Sequence, residues 1–219
     1  MQKFNLLLIL TLLTFFVGKA QQFEGGLLAG MDFSQVDGDT YSGYKRLGML
    51  AGGYVKLPLN EKWALRLEME YIMKGSVNAY NPNATSDTNN VDYLNKTSYI
   101  EVPLLLEYNL ANAMPGTKVS AFVRNISLFG GFSTAVLLSH KELINNYETG
   151  PPYPGFADVN FTVIFGLQYV IGPRWSVDYR WDNSITTIRT GNAPGYIQRF
   201  GGKYGQFHNL MALSLFYKL

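Results

Sequence analysis

Trp63-Ala64-Leu65-Arg66-Leu67-Glu68-Met69-Glu70-Tyr71-Ile72-Met73-Lys74 is the stretch that decides how this chain folds. Its odd positions are Trp63, Leu65, Leu67, Met69, Tyr71 and Met73, and its even positions include Arg66, Glu68, Glu70 and Lys74. Successive side chains of a β-strand point to opposite faces. As a strand, the segment is therefore apolar on one side and charged on the other. Wound into a helix, it would scatter its charges around the circumference, so the two-residue period wins.

The alternation recurs along the chain. Ile100, Val102, Leu104, Leu106 and Tyr108 share one face, with Glu101 and Glu107 on the other. Val159, Phe161, Val163, Phe165, Leu167 and Tyr169 oppose Asn160, Thr162, Gly166 and Gln168. Trp175, Val177, Tyr179 and Trp181 oppose Arg174, Ser176, Asp178, Arg180 and Asp182. Met211, Leu213, Leu215 and Tyr217 oppose Ala212, Ser214 and Lys218. Two weaker strands, interrupted by glycines, are expected over residues 23–33 and 45–57. A long fifth strand is expected over 118–139, its register open and a bulge at Gly130-Gly131 plausible. Most of these strands exceed the five or six residues usual in soluble sheets. They match the roughly 9–11 that a tilted strand needs to cross a bilayer.

Between them, the connections alternate in length. Residues 34–44, 75–96, 140–158 and 183–207 form medium or long polar segments, the third holding Pro151, Pro152 and Pro154. Residues 58–62, 109–117 and 172–173 are short. In a meander, alternate connections lie at the same end, so long loops gather at one end and tight turns at the other. That is the plan of a membrane barrel with long outer loops and short periplasmic turns. The fold expected is all-β: an eight-stranded antiparallel up-and-down transmembrane β-barrel.

The N-terminus supports export. Lys3 precedes an apolar run from Leu6 to Val17, and Gly18-Lys19-Ala20 places small residues before a cleavage point at Gln21. This is the layout of a secretory signal peptide, and the run is too short for a membrane anchor. Residues 1–20 are expected to be removed, leaving 21–219 as the barrel in the outer membrane of a Gram-negative bacterium.

Composition agrees. The 219 residues include 15 Tyr, 14 Phe and 22 Gly, and only 16% are charged, against about 25% in a soluble domain. A net charge of +2 gives no reason to expect a nucleic-acid partner. The absence of Cys excludes disulfides, thiolate metal sites and a lipidated N-terminal cysteine.

Periodicity alone does not say which face looks outward. The apolar faces are unbroken and bulky, with Trp63, Tyr71, Tyr108, Trp175 and Trp181 near strand ends, where membrane barrels carry aromatic girdles. An eight-stranded interior is only wide enough for side chains to fill. The apolar faces are therefore expected to meet lipid. Arg66, Glu68, Glu70, Glu101, Glu107, Asp178, Arg180 and Asp182 would then line the lumen as a structural, partly hydrated salt-bridge network. Acids outnumber bases on these strands, and Arg46, Lys56, Arg174 and Lys218 are candidates to balance them.

Two stretches carry a family resemblance. Residues 67–75, Leu-Glu-Met-Glu-Tyr-Ile-Met-Lys-Gly, end a strand in Tyr and then Lys-Gly, and residues 99–108 read Tyr-Ile-Glu-Val-Pro-Leu-Leu-Leu-Glu-Tyr. With Val177-Asp178-Tyr179-Arg180 they resemble the PorT-like outer-membrane β-barrel domain family, and more loosely the small barrels of the OmpX and OmpA type. The resemblance implies a barrel fold and an outer-membrane location. It also implies dependence on the barrel assembly machinery and a possible tie to secretion, the role of the family's namesake. Such barrels usually end on an aromatic residue, whereas this chain ends Phe216-Tyr217-Lys218-Leu219.

No motif points to catalysis, a cofactor or a metal. His140 and His208 fall near strand–loop junctions, and a dyad of His208 with Asp182, or of His140 with a nearby loop carboxylate, is weighed against ordinary rim polarity, which is preferred. Glu68 and Glu70 beside Arg66 are read as lumen structure rather than an acid–base pair. The segment 87–92 has oxygen ligands but lacks the Gly and Glu of a calcium loop. The glycines at 25, 26 and 30 do not form a phosphate cradle. Tyr147, Tyr153, Phe156, Tyr196, Phe200 and Tyr204 give the longest loops an aromatic character that suits either partner contact or loop packing. The expectation is a non-enzymatic barrel, without cofactor, that binds a protein partner or serves an envelope assembly among outer-membrane lipids. The alternatives are a small porin or transporter, and a soluble periplasmic barrel holding an apolar ligand.

Overall fold

A computed structural model describes residues 23–41, 43–80, 91–112, 121–148, 155–191, 195–199 and 201–219. The expected signal peptide lies outside them. Eight long strands follow one another: β1 (Glu24–Asp37), β2 (Arg46–Pro58), β3 (Trp63–Asn78), β4 (Tyr93–Asn109), β5 (Ile126–Ile144), β6 (Val159–Val170), β7 (Trp175–Ser184) and β8 (Tyr204–Lys218). Each pairs antiparallel with the next, and β8 pairs with β1 from Gly26↔Lys218 to Asp37↔Phe207, which closes the ring. Two-residue strands at Tyr147–Glu148, Arg189–Thr190 and Ile197–Gln198 extend the sheet at the end holding the long loops.

The faces sort as an inside-out barrel. Met69 is 63% exposed, while its neighbours Glu68 and Glu70 are each 1% exposed. Leu67, Val102, Leu104, Leu106, Phe132, Phe161, Phe165, Trp175, Tyr179, Leu213 and Leu215 all face outward. A soluble barrel with an apolar interior would show the opposite pattern. Aromatic pairs mark the end with the tight turns, where Trp63 meets Tyr108 at 4.6 Å and Trp175 meets Tyr217 at 4.7 Å between ring centroids. Amphipathic rings at that position suit the bilayer interface.

The lumen is not wholly polar. Leu28, Leu50, Ile72, Tyr99, Ala135, Leu210, Ala212 and Phe216 form one buried apolar cluster, and Leu105, Phe129 and Ile164 a second. Glycines make room for this filling. A Cβ at Gly30 would lie 2.3 Å from the Leu213 carbonyl oxygen, so the backbones of β1 and β8 approach there without side chains between them.

Three sequence expectations need correction. The strands run further into the polar segments than their apolar alternation does. Ser76, Val77 and Asn78 pair with Asn95, Leu94 and Tyr93, because polar residues continue an antiparallel ladder above the apolar belt as well as apolar ones do. The fifth strand begins at Ile126 rather than 118, since Ala121–Arg124 is a helical turn. The connection before it therefore spans residues 110–125 and is not short. Finally, Gly130 and Gly131 pair regularly with Leu106 and Leu105, and the irregularity falls later. Ser98 pairs with Ser139 and Tyr99 with Leu137, leaving Leu138 as the extra residue of a bulge.

Candidate functional site

The alternation that buries one face of β3, β4 and β7 brings their charged side chains together inside the ring. Arg66 stands at the centre of a lower tier. Its Nε lies 2.8 Å from Glu68, its Nη1 2.7 Å from Glu107 and its Nη2 2.7 Å from Asp178. Its guanidinium is sandwiched between the rings of Phe129 and Phe216, at 4.6 and 4.9 Å. Lys56 pairs with the other oxygen of Glu107, and the Gln168 amide donates to Asp178 Oδ1 at 2.7 Å.

Arg180 organises an upper tier. It meets Glu68 at 3.1 Å, Glu70 closely, and Asp182 at 3.3 Å through Nε. Lys74 pairs with Glu101 at 2.6 Å, and the Ser133 hydroxyl donates to the same carboxylate. Glu68 thus holds one guanidinium on each oxygen and ties the tiers together. Each ion carries a desolvation cost of several kcal/mol when buried, so only dense pairing of this kind makes the arrangement tolerable.

All eight charged residues proposed from the sequence lie in this cluster. Of the four expected balancing cations, Lys56 joins it and Arg46 lies within electrostatic reach of the buried Asp32. Lys218 pairs instead with Glu24 at 2.7 Å at the rim, Arg174 donates to the Tyr217 hydroxyl at 3.0 Å, and Arg46 donates to the Leu47 carbonyl at 3.0 Å. Two members escaped the reading. Lys74 stands on the charged face of β3 and was legible there. Asp32, fully buried on β1, was hidden because the glycines of that strand blur its alternation.

Above the tiers, side chains from the outer ends of β4 and β5 and from the described loop residues meet in a cap. The Tyr93 hydroxyl donates to Glu142 Oε1 at 2.6 Å, and Arg189 donates to both oxygens of Glu142 at 3.3 and 3.0 Å. The Arg189 guanidinium lies 4.1 Å from the Phe156 ring centroid, and His140 packs on the same ring at 5.0 Å. Tyr41 stacks on Tyr93 at 4.6 Å. Arg199 joins Asp37 to Asn183. Asp39 accepts from the Ser76 hydroxyl and from the Tyr41 N–H at 2.9 Å, and burial pushes its carboxyl up to about 6.

His208 is buried below this cap and does not meet Asp182, which lies against Arg180. Its Nε2 stands 3.1 Å from the Tyr99 hydroxyl and 3.3 Å from the Thr97 hydroxyl. His140 sits on Phe156 instead of a carboxylate. Of the loop aromatics, Phe156 is packed into the cap, Tyr147 and Tyr204 are exposed, and Tyr196 is half-buried. Tyr153 and Phe200 lie outside the described residues, as does most of the segment 87–92. Asp92, its last residue, accepts from the Tyr80 N–H at 2.7 Å. The described residues hold no grouping of His, Cys, Asp and Glu suited to a metal ion.

The sequence profile of the outer-membrane protein β-barrel domain matches residues 19–189. The chain belongs to that family. It is thus an outer-membrane barrel, in accord with the apolar exterior and the closed ring. No curated protein sequence matches it. Among solved structures, it is similar to the attachment invasion locus protein Ail of Yersinia pestis in complex with the heparin analogue sucrose octasulfate, at 12% identity and a TM-score of 0.47 over 90% of this chain and 99% of that one. It is likewise similar to CarO of Acinetobacter baumannii, at 13% identity and a TM-score of 0.45 over 92% of this chain and 100% of that one. A third is Neisserial surface protein A, at 12% identity and a TM-score of 0.43 over 90% and 97%.

Proposed function

We propose that this outer-membrane barrel is non-enzymatic and closed to solutes, and that it presents its outer loops to an envelope or extracellular protein partner. The observation that carries this reading is the filling of its bore. Arg66 and Arg180 draw carboxylates from β3, β4 and β7 into the middle of the lumen, and Phe129 and Phe216 pack around them. The cap of Tyr93, Glu142, Arg189 and Phe156 adds a second closure above. What remains to act on the surroundings is the loop surface, where Tyr147 is 80% exposed. Exposed aromatics of this kind favour protein contact.

The chain reaches this place, in our reading, through cleavage after Ala20 and insertion by the barrel assembly machinery. The stretches at 67–75 and 99–108 support a PorT-like branch of the family and with it a link to an export assembly. Planar-bilayer recording tests the closed bore. Protein whose folding is verified by heat-modifiable gel migration is expected to give no conductance steps above the lipid background. Steady, reproducible steps would favour the alternative of a small porin and overturn this reading.

A further inference from the structure

The bulge at Leu138 has a chemical result. Below it, the odd residues of β5 face the lumen, with Ser127, Phe129, Ser133 and Ala135 all buried. The extra residue inverts this parity, so that Thr97 pairs with His140, Lys96 with Lys141 and Asn95 with Glu142. His140 and Glu142 thereby turn inward to the cap, and Lys141 turns outward beside Lys96. A regular strand would have put Lys141 inside and left Lys96 without a cationic neighbour. Bulges commonly re-aim a side chain at a functional position in this way.

The two lysines are a directly opposed like-charge pair, an arrangement that costs stability in an antiparallel sheet. Both are exposed, and neither makes an ion pair among the described residues. The residue opposite Lys96 on its other side is Gly75, which places no side chain over them. Along the same outer surface, the polarity rises in steps. Val102, Leu104, Val136 and Leu138 are exposed and apolar. Next come Ser98 and Ser139, paired in register, with the Tyr71 hydroxyl donating to Ser98 at 3.0 Å. Lys96 and Lys141 stand one outward-facing position further, roughly 7 Å along the strands. Acyl chain, ester- or amide-bearing linker and phosphate occur in that order in a membrane lipid, and serine hydroxyls at the middle level can donate to the linker's carbonyl oxygens.

We infer that Lys96 and Lys141 form a binding site for the phosphate groups of outer-leaflet lipids, with Ser139 beneath them as a hydroxyl donor. A phosphate between the ammonium groups turns their mutual repulsion into two charge-assisted contacts. The lipid then acts as a stabilising ligand of the β4–β5 hairpin.

The test is thermal unfolding of the purified chain in maltoside micelles, titrated with lipid A. The wild type is expected to show a concentration-dependent rise in unfolding temperature. Lipid A stripped of its phosphates, or inorganic phosphate at equal phosphorus, is expected to give none. The double variant Lys96→Gln/Lys141→Gln is expected to lose the rise while keeping its heat-modifiable migration. Lys141→Glu is expected to unfold at a higher temperature than wild type without lipid, because it converts a repulsive pair into an attractive one, and to be insensitive to lipid A. If the double variant does not fold, Lys141→Gln alone serves, with a reduced rise expected. An undiminished rise in the variants would overturn the site. An equal rise with the dephosphorylated lipid or with free phosphate would overturn the assignment to lipid phosphate.

Discussion

Arg180 on β7 reaches across the lumen to Glu68 on β3, with its Nη1 3.1 Å from Oε2. The two strands are not neighbours in the ring, so this contact braces the barrel through its interior instead of along the sheet. Arg180 also serves Glu70 and Asp182. Replacing Arg180 by Met leaves Glu70 and Asp182 buried without their cation and Glu68 with Arg66 alone. Removing one partner of a buried pair costs about 3–5 kcal/mol. Urea unfolding in lipid vesicles should show a loss of that order for Arg180→Met. The loss should be smaller when Glu70→Gln is added, since one of the stranded charges is then gone.

The outward face makes the complementary prediction. Leu104 is exposed between the aromatic level of Tyr108 and that of Tyr71, which places it near the middle of the apolar belt. Arginine on the lipid side of a barrel costs about 2–4 kcal/mol at the bilayer midplane. Leu104→Arg should lower the unfolding free energy in vesicles by that order. In detergent micelles, which deform around a charge, the difference should shrink.

The outer cap should respond to pH through Asp39, whose carboxyl titrates at about 6 in the folded chain because it is buried. Its unfolded value is near 3.9. Between those values the folded state binds the extra proton, so the cap gains stability as pH falls from neutral through 6 and loses it as pH rises through 6. Amide exchange at Tyr41 and in the outer part of β3 around Ser76 should be slower at pH 5 than at pH 7.5, after correction for the intrinsic rate. Asp39→Asn should remove the difference.

Loop closure rests on Arg189. It holds Glu142 and covers Phe156. Arg189→Ala should raise the susceptibility of residues 145–158 to added protease on intact cells several-fold, with the barrel's heat-modifiable migration unchanged.

Where one face of a strand is charged and the other apolar, the sequence was enough to read the strand, its facing and its place in the lumen. Trp63 to Lys74 and Trp175 to Asp182 are of this kind, and they supply Arg66, Glu68, Glu70, Asp178, Arg180 and Asp182 to the network. The fifth strand resisted for a definite reason. The extra residue at Leu138 breaks the two-residue period that the reading depends on, so the facing of His140, Lys141 and Glu142 becomes visible only in the paired sheet. The cap resisted for another. Tyr93, Glu142 and Arg189 come from three separate parts of the chain, and no local pattern announces that they meet. Lys218 and Arg174 were misplaced because strand parity fixes a face but not a depth, and at the rim a long side chain finds nearer partners in Glu24 and Tyr217.

The central claim is that the charged faces look inward and the apolar faces meet lipid. The chain has no cysteine, so a nitroxide can be attached singly along β3 without a background variant. Collision of the label with oxygen, which concentrates in the bilayer, and with a water-soluble nickel chelate would be compared at each position from 64 to 71 in reconstituted vesicles. Labels at Leu65, Leu67, Met69 and Tyr71 are expected to be relaxed strongly by oxygen and weakly by nickel. Labels at Ala64, Arg66, Glu68 and Glu70 are expected to show little access to oxygen. A two-residue period of the opposite phase, with oxygen reaching the charged positions, would contradict the account.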